Sequence, residues 1–378
     1  MKKVLISADF CPNGRVVDLV DKLDCESIFN DVKGIVDNVD FSIVNLECPI
    51  RDKSNTEIND KIGPVLYTNE NAVKILKNVG FDCATLANNH IKDLGGKGVL
   101  DTIEVLERNG IEYVGAGKDR EDAQRVLYVE LEDLHLGIIN VTENEFSCAT
   151  IDSPGANGHN LVKEYSIIIE ARQKVDFLLL IYHGGHEGYN LPSPRIKDLF
   201  RMYVELGVDS VICHHSHVCS GYETYKGKPI FYGLGNFSFD WPNLYSFDWI
   251  HGCFVELFLI KNKCIDFRIV YYKQGSKENS GIVLLNQDEE ISIKEYISKL
   301  NSIILNDDEL GAEFFKFCSN RKQNYLMVFE PYTNRILKGL FRRGVIPSFF
   351  NKNRKRVTNI IRCESHRDVV LEILEKIR

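Results

Sequence analysis

Short apolar runs, each closed by polar residues and set apart from the next by a helix-length stretch, constrain this chain most. The runs cover residues 4–8, 41–46, 82–86, 111–114, 176–182 and 208–213. Between them the pattern turns helical over 27–37, 98–108, 161–174 and 193–206, and from an Asn69 cap to Val79, where Gly80 stops the helix. Such alternation predicts an α/β fold with a buried, largely hydrophobic sheet. From Val218 onward strands follow one another without helices. Residues 221–225 and 229–234 flank Lys226-Gly227-Lys228 as a hairpin, and 254–260 and 265–272 form a second pair. Parallel units early and hairpins late predict two stacked sheets with helices outside. Composition shifts near 274–288, and 291–305, 309–329 and 365–377 then look helical. The expected division is a core over 1–273 and a helical C-terminal extension over 289–378.

With 44% hydrophobic and 26% charged residues in 378, the chain has ample apolar surface for a core and is no disordered or collagenous protein. Its longest apolar runs fall far short of the ~20 residues that cross a bilayer. The opening Met1–Asp9 stretch is basic and then apolar, but it meets a carboxylate too soon for a secretory segment and reads as a first strand. Eleven cysteines, none in a CxxC pair, read as small buried hydrophobes in a reducing compartment, hence a cytoplasmic location. The net charge of −8 argues against nucleic acid as a partner. It hides an asymmetry, because residues 338–362 carry eight basic side chains and no acidic one, leaving −16 on the rest. Phe341, Val345, Ile346, Phe349 and Phe350 interleave with those arginines. Basic-plus-aromatic segments bind anionic membrane surfaces, which would place the protein at the periphery of the inner membrane; a solvated basic face packed on the acidic core is the alternative.

The polar residues gather where predicted strands end, the place where α/β folds build their sites. Asp9 ends the first strand, and Asn45 and Glu47 the second. Asn88-Asn89-His90 and Asp93 follow the third; His183, His186 and Glu187 follow 176–182; His214-His215-Ser216-His217 follow 208–213. Six of the ten histidines fall in these clusters. Carboxylate, amide and imidazole donors together suit Mn, Fe or Zn, whereas Mg or Ca prefer oxygen almost alone. Three imidazoles in four residues rarely serve packing, so metal or catalysis is the stronger reading of 214–217. His135, His159, His251 and His366 have no such company and read as surface or packing residues.

Several motifs carry a family resemblance. FSIVNLECPI at 41–50 resembles the NLE-x-P motif of the bacterial capsule synthesis family (CapA, or PGA-cap), and LANNHIKDLG at 86–95 resembles its LANNH-x-x-D-x-G. IEYVGAG at 111–117 is similar to I-x-x-x-G-A-G, HGGHE at 183–187 to H-W-G-x-E, and HHSHV at 214–218 to G-H-H-x-H-V. KGKPIFYGLGNF at 226–237 matches K-G-K-P-I-F-Y-S-L-G-N-F, Asn236 included. The resemblance spans roughly 1–272 and leaves the extension without a counterpart. It implies a calcineurin-like metallophosphoesterase fold, a four-layer α-β-β-α sandwich. It also implies two divalent metals held by Asp9, Glu47, Asn89, His183, His215 and His217. His90 becomes the general acid with Asp93 orienting it, and Asn45, His186, Glu187 and Asn236 stand behind the ligands or meet substrate. The chain departs from the pattern at Cys11, where D-x-H is usual, at Gly184 in place of Trp, and at Cys213 in place of Gly; the first leaves one or two metals open.

Three functions follow from these expectations. The first is a metal-dependent hydrolase of a phosphoester in capsule or cell-envelope polymer biosynthesis. The second keeps the metal site but acts on the amide of a poly-γ-glutamate-like polymer, as hydrolase or transferase. The third is a non-catalytic assembly subunit with a degenerate site.

Overall fold

The computed structural model describes residues 1–241, 243–329 and 350–376, with 336, 340 and 345. Within the basic, aromatic stretch 338–362, residues 338–339, 341–344 and 346–349 lie outside the described residues, and the remainder is mostly the helix Phe350–Arg362. Strands β1 (Lys2–Phe10), β2 (Phe41–Leu46), β3 (Cys83–Thr85) and β4 (Glu112–Val114) run parallel and adjacent. After them come β5 (Ala116–Gly117), β6 (Leu127–Leu131), β7 (Leu134–Thr142), β8 (Gly155–Ala156), β9 (Phe177–His183) and β10 (Ser210–His214). The late strands are β11 (Tyr222–Tyr225), β12 (Lys228–Phe231), β13 (Asn236–Ser238), β14 (His251–Leu259), β15 (Asp266–Gln274) and β16 (Ile282–Leu284). One sheet has the order β16-β15-β14-β1-β2-β3-β4, with β13 also parallel to β1. The other has the order β11-β12-β10-β9-β7-β6, and β5 and β8 form a small ribbon. Both sheets are mixed: parallel in the middle, antiparallel at β14–β16, β6 and β11.

Strands β2, β9 and β10 are buried along their whole length, as parallel strands covered on both faces must be. Ile6 and Val44 of the first sheet and Ile138 and Leu179 of the second belong to one apolar core. Helices cover the outside: Gly95–Arg108 packs near β4, Leu161–Arg172 on β9 and Pro194–Glu205 on β10 and β12. The α/β architecture with two sheets and a helical C-terminal region is thus as expected.

Local chemistry sets the joints. Asn69 caps Glu70–Val79 through Asn71 N (2.9 Å), and Gly80 ends it at φ +110°, where a side chain would be strained. Lys226 and Gly227 sit at φ +49° and +77° and close the β11–β12 hairpin in two residues. Two details depart from expectation. The helix expected over 27–37 is two short ones, Cys25–Phe29 and Val32–Val36, broken at Asn30 with φ +42°. Strands β6 and β7 lie in a stretch, 115–142, that the sequence pattern leaves unassigned.

The extension shares the core. Ile293, Ile297 and Ile304 of helix Gln287–Leu305, Phe314 of Asp307–Phe329 and Val369 of Glu364–Lys376 join the same apolar cluster as the sheets. Lys197, 2% exposed, donates its ammonium to Ile304 O at the end of Gln287–Leu305 and to Asp307 Oδ1 (2.5 Å). A cation there answers the helix's unpaired carbonyls. Lys197→Ala should lower unfolding free energy by ~2–4 kcal/mol through the cavity and the lost charged bonds. Urea denaturation reads the loss, and amide exchange across 287–305 should speed up. Unchanged exchange there would show that this lysine does not hold the extension.

Candidate metal centre

The parallel strands of each sheet end at one edge, and the two edges meet. Asp9 of β1 stands in register with Asn45 of β2 and with Asn236 of β13. His183 of β9 stands opposite His214 of β10. Beyond β10 the chain turns sharply, with His215 at φ +90° and His217 at φ +58°. Left-handed backbone at such residues costs ~1–3 kcal/mol each and is kept where the fold over-determines it. The turn carries both rings to the carboxylates of the first sheet.

Six expected ligand residues converge. Atoms of Asp9, Glu47 and His217 lie within 4.8 Å of one another, and so do atoms of Glu47, His183 and His215. Glu47 belongs to both groups, with Oε1 3.4 Å from His183 Nε2 and 3.6 Å from His217 Nε2. Asn89 Oδ1 is 3.0 Å from His183 Nε2. Asn45 Nδ2 donates to Asp9 Oδ1 (2.7 Å) and lies 3.3 Å from His183 Nδ1. Asn236 Oδ1 holds His217 Nδ1 (3.0 Å), which turns Nε2 towards Glu47.

Buried carboxylates and imidazoles stand so close here that each shifts the other's titration. Burial and then Asp9 push the Glu47 carboxyl well above its usual range, with His217 opposing. Against burial, His214 and His217 hold Asp9 well below its own range. Burial would lower His217 too, but Glu47 and Asp9 bring it up to about 10. Among the described residues both Glu47 oxygens and His215 Nδ1 are buried without a hydrogen bond. Buried polar atoms are rarely left so. Oxygen and imidazole donors with free lone pairs fit divalent cations of the Mn, Fe or Zn type.

His90 and Asp93 lie beside this cluster. His90 Nδ1 is 2.7 Å from Asp93 Oδ2, so the ring's other nitrogen lies on the far side, and His90 lines the cavity next to the cluster. Burial lowers the His90 pKa and Asp93 opposes it. Lys61 joins this pair without a local signal in the sequence. Its ammonium, in a side chain only 5% exposed, lies 2.6 Å from Asp93 Oδ1 and 3.1 Å from His90 Nδ1. It comes from a polar loop with no periodic pattern, so nothing in the sequence marked it.

Other expected positions fall differently. His186 is brought to the extension: its Nε2 lies 2.9 Å from Ser365 O, its ring packs on Phe314 and Phe317, and burial brings its pKa down to about 3. Glu187 is exposed on the cavity wall. Cys11 is buried against Cys48 and joins neither ligand group. His214, in the histidine cluster but not among the expected ligands, places Nδ1 3.0 Å from Asp9 Oδ1. Gly184 has no room for a side chain, since a Cβ would meet Glu143 Cγ at 2.6 Å. Cys213 Sγ rests 3.4 Å from Gly184 O.

The cluster opens on a cavity of about 300 Å³ lined by Asn89, His90 and His215 from the core and by Phe317, Arg321, Asn359 and His366 from the extension.

Two facing mixed sheets with an Asp–Glu–Asn–His cluster at their joined strand ends define an α/β protein whose buried side chains could hold cations. The chain belongs to the bacterial capsule synthesis protein PGA_cap family, which matches residues 3–241. It is 32% identical over 240 residues to the capsule biosynthesis protein CapA of Bacillus anthracis, covering 61% of this chain and 58% of that one. It is 33% identical over 244 residues to the PGA biosynthesis protein CapA of Bacillus subtilis strain 168, covering 62% of this chain and 64% of that one. The match therefore takes in under two thirds of either relative. Among solved structures, a putative 5'-nucleotidase from Staphylococcus aureus is similar at TM-score 0.45 and 12% identity, over 78% of this chain and 57% of that one. Among the described residues no helix is long and apolar enough to cross a membrane.

Glu47→Gln tests the cluster directly. Stripped of metal, the variant should unfold at the parent's temperature or above, because a buried carboxyl beside the like-charged Asp9 becomes neutral. Added Mn²⁺ should raise the parent's Tm and leave the variant's unmoved. Equal stabilisation of both by Mn²⁺ would show that Glu47 is no ligand.

Proposed function

We propose that this protein is a metal-dependent hydrolase of a phosphoester, acting in the biosynthesis of a capsule or other cell-envelope polymer. The observation that carries this reading is the Glu47 carboxylate, buried, unbonded and shared between two groups of ligating atoms. Asp9 and His217 would hold one cation, and His183, His215 and Asn89 the other, with Glu47 between them. Bound there, a pair of divalent ions supplies a water ionised near neutral pH and a clamp on the phosphoryl oxygens. The relatives named for capsule and PGA biosynthesis support the polymer setting.

The chain's own residues do the rest. Asn45 and Asn236 fix Asp9 and His217, keeping the donor atoms turned inward. Asp93 holds the Nδ1 proton of His90, which leaves Nε2 to give a proton to the departing oxygen. Lys61 balances Asp93, so that the carboxylate orients the imidazole without drawing its proton away. The cavity admits a small anionic group, and the extension closes one side of it. An envelope polymer or its phosphorylated precursor is the proposed substrate. The basic segment at 338–362 would keep the protein at an anionic membrane surface on the cytoplasmic side.

His90→Ala should bind metal as the parent does and lose ~10²–10⁴-fold in turnover of an aryl phosphodiester. Metal content by elemental analysis and steady-state rates read the two effects separately. Parental turnover in the variant would remove His90 from the mechanism. A metal-loaded parent that cleaves γ-glutamyl peptides and leaves phosphoesters intact would replace the hydrolase of phosphoesters with one of amides.

A further inference from the structure

A second donor cluster lies on the same cavity, at the seam between core and extension. Glu145 follows β7 in the core, whereas Cys363 and His366 stand three residues apart at the start of helix Glu364–Lys376. Their ligating atoms all lie within 4.8 Å of one another. Cys363 is 1% exposed, and Glu145 and His366 are half-buried and line the cavity beside Asn89, His90 and His215. This set is separate from the Asp9–Glu47 cluster and shares no residue with it.

We propose that Glu145, Cys363 and His366 form a further divalent-cation site of the zinc type, which fastens the extension to the core and leaves a coordination position facing the cavity. Thiolate, imidazole and carboxylate together are a zinc donor set, and three protein ligands with one open position are the usual form of an accessible site. Cys-x-x-His on the first turn of a helix puts both donors on one face, three residues apart. The surrounding charge asks for a cation. Glu143, Glu145 and Glu187 converge here, and only Glu143 has a guanidinium, that of Arg195 (2.8 Å), among the ion pairs of the described residues. Burial, followed by Glu187 and Glu143, raises the Glu145 pKa to about 7. The Cys363 thiol rests 3.5 Å from Glu143 Oε2, and Asn359 Nδ2 donates to Glu145 Oε2 at 3.5 Å. On binding, the thiol gives its proton to solvent, the sulfur–metal bond forms, and the metal gives up a water ligand. The open position then faces the cavity, where an anionic substrate group can reach it.

Co²⁺ stands in for zinc and reports sulfur ligation by a thiolate-to-metal absorption band. The full chain, stripped with a chelator, is titrated with Co²⁺ beside Cys363→Ser, Cys11→Ser and Asp9→Asn. The parent, Cys11→Ser and Asp9→Asn should show the band, and Cys363→Ser should lose it with one fewer bound cation per chain. No band in the parent, or a band that survives Cys363→Ser, overturns the site. Should Cys363→Ser fail to fold, His366→Gln decides: a folded variant that binds Co²⁺ with the parent's band and affinity overturns it equally. The outcome is independent of the hydrolase reading, because inactivity with the band intact ends that reading alone.

Discussion

A buried carboxylate with no hydrogen bond is the constraint around which this molecule is arranged. Glu47 is 0% exposed, both its oxygens are unpartnered among the described residues, and a second carboxylate, Asp9, stands in the same cluster. Taking such a group out of water costs several kcal/mol unless positive charge meets it. The imidazoles of His183 and His217 approach it from the other sheet, and the left-handed backbone at 215 and 217 is part of what brings them there. The two sheets could pack at many angles and still bury their aliphatic faces. Only an arrangement that joins their strand ends brings Asp9 and Glu47 to the histidines.

How much of this was legible depended on burial and periodicity. Strands β2, β9 and β10 are covered on both faces, so they read as unbroken apolar runs whose polar successors mark the site. Strand β7 is buried almost as fully as β9, but His135 and Gly137 interrupt its apolar run. Gly137 is there because a Cβ would lie 2.9 Å from Leu178 Cδ1. A packing requirement between neighbouring strands thus erased the local signal. Lys61 illustrates the opposite case. Its role comes from meeting His90 and Asp93 across about thirty residues of chain, and no rule of local spacing reaches that far. The break at Asn30 lies within a helical pattern and is likewise set by the tertiary path.

The departures from the family's motifs acquire physical meaning in the folded chain. Cys11 replaces an expected imidazole and packs on Cys48, which removes a donor from the Asp9 side of the cluster. His214 stands on that side instead, 3.0 Å from Asp9, so an imidazole returns to the same carboxylate from the other sheet. The cluster therefore keeps a mixed oxygen and nitrogen character on both sides of Glu47.

Gly184 has a longer reach. A tryptophan, usual in the family at that position, would need the space taken by Glu143 and Tyr182. Glu143 is the anchor of the extension: Ser365 Oγ donates to its Oε1 (2.5 Å), Arg195 pairs with it, and the Cys363 thiol rests on it. Arg195 also pairs with Asp368 on the last helix. Helices beyond residue 241, where the family match ends, supply Phe317, Arg321 and His366 to the cavity. The donor cluster thus comes from residues inside the family match, and one wall of the cavity beside it comes from helices beyond that match.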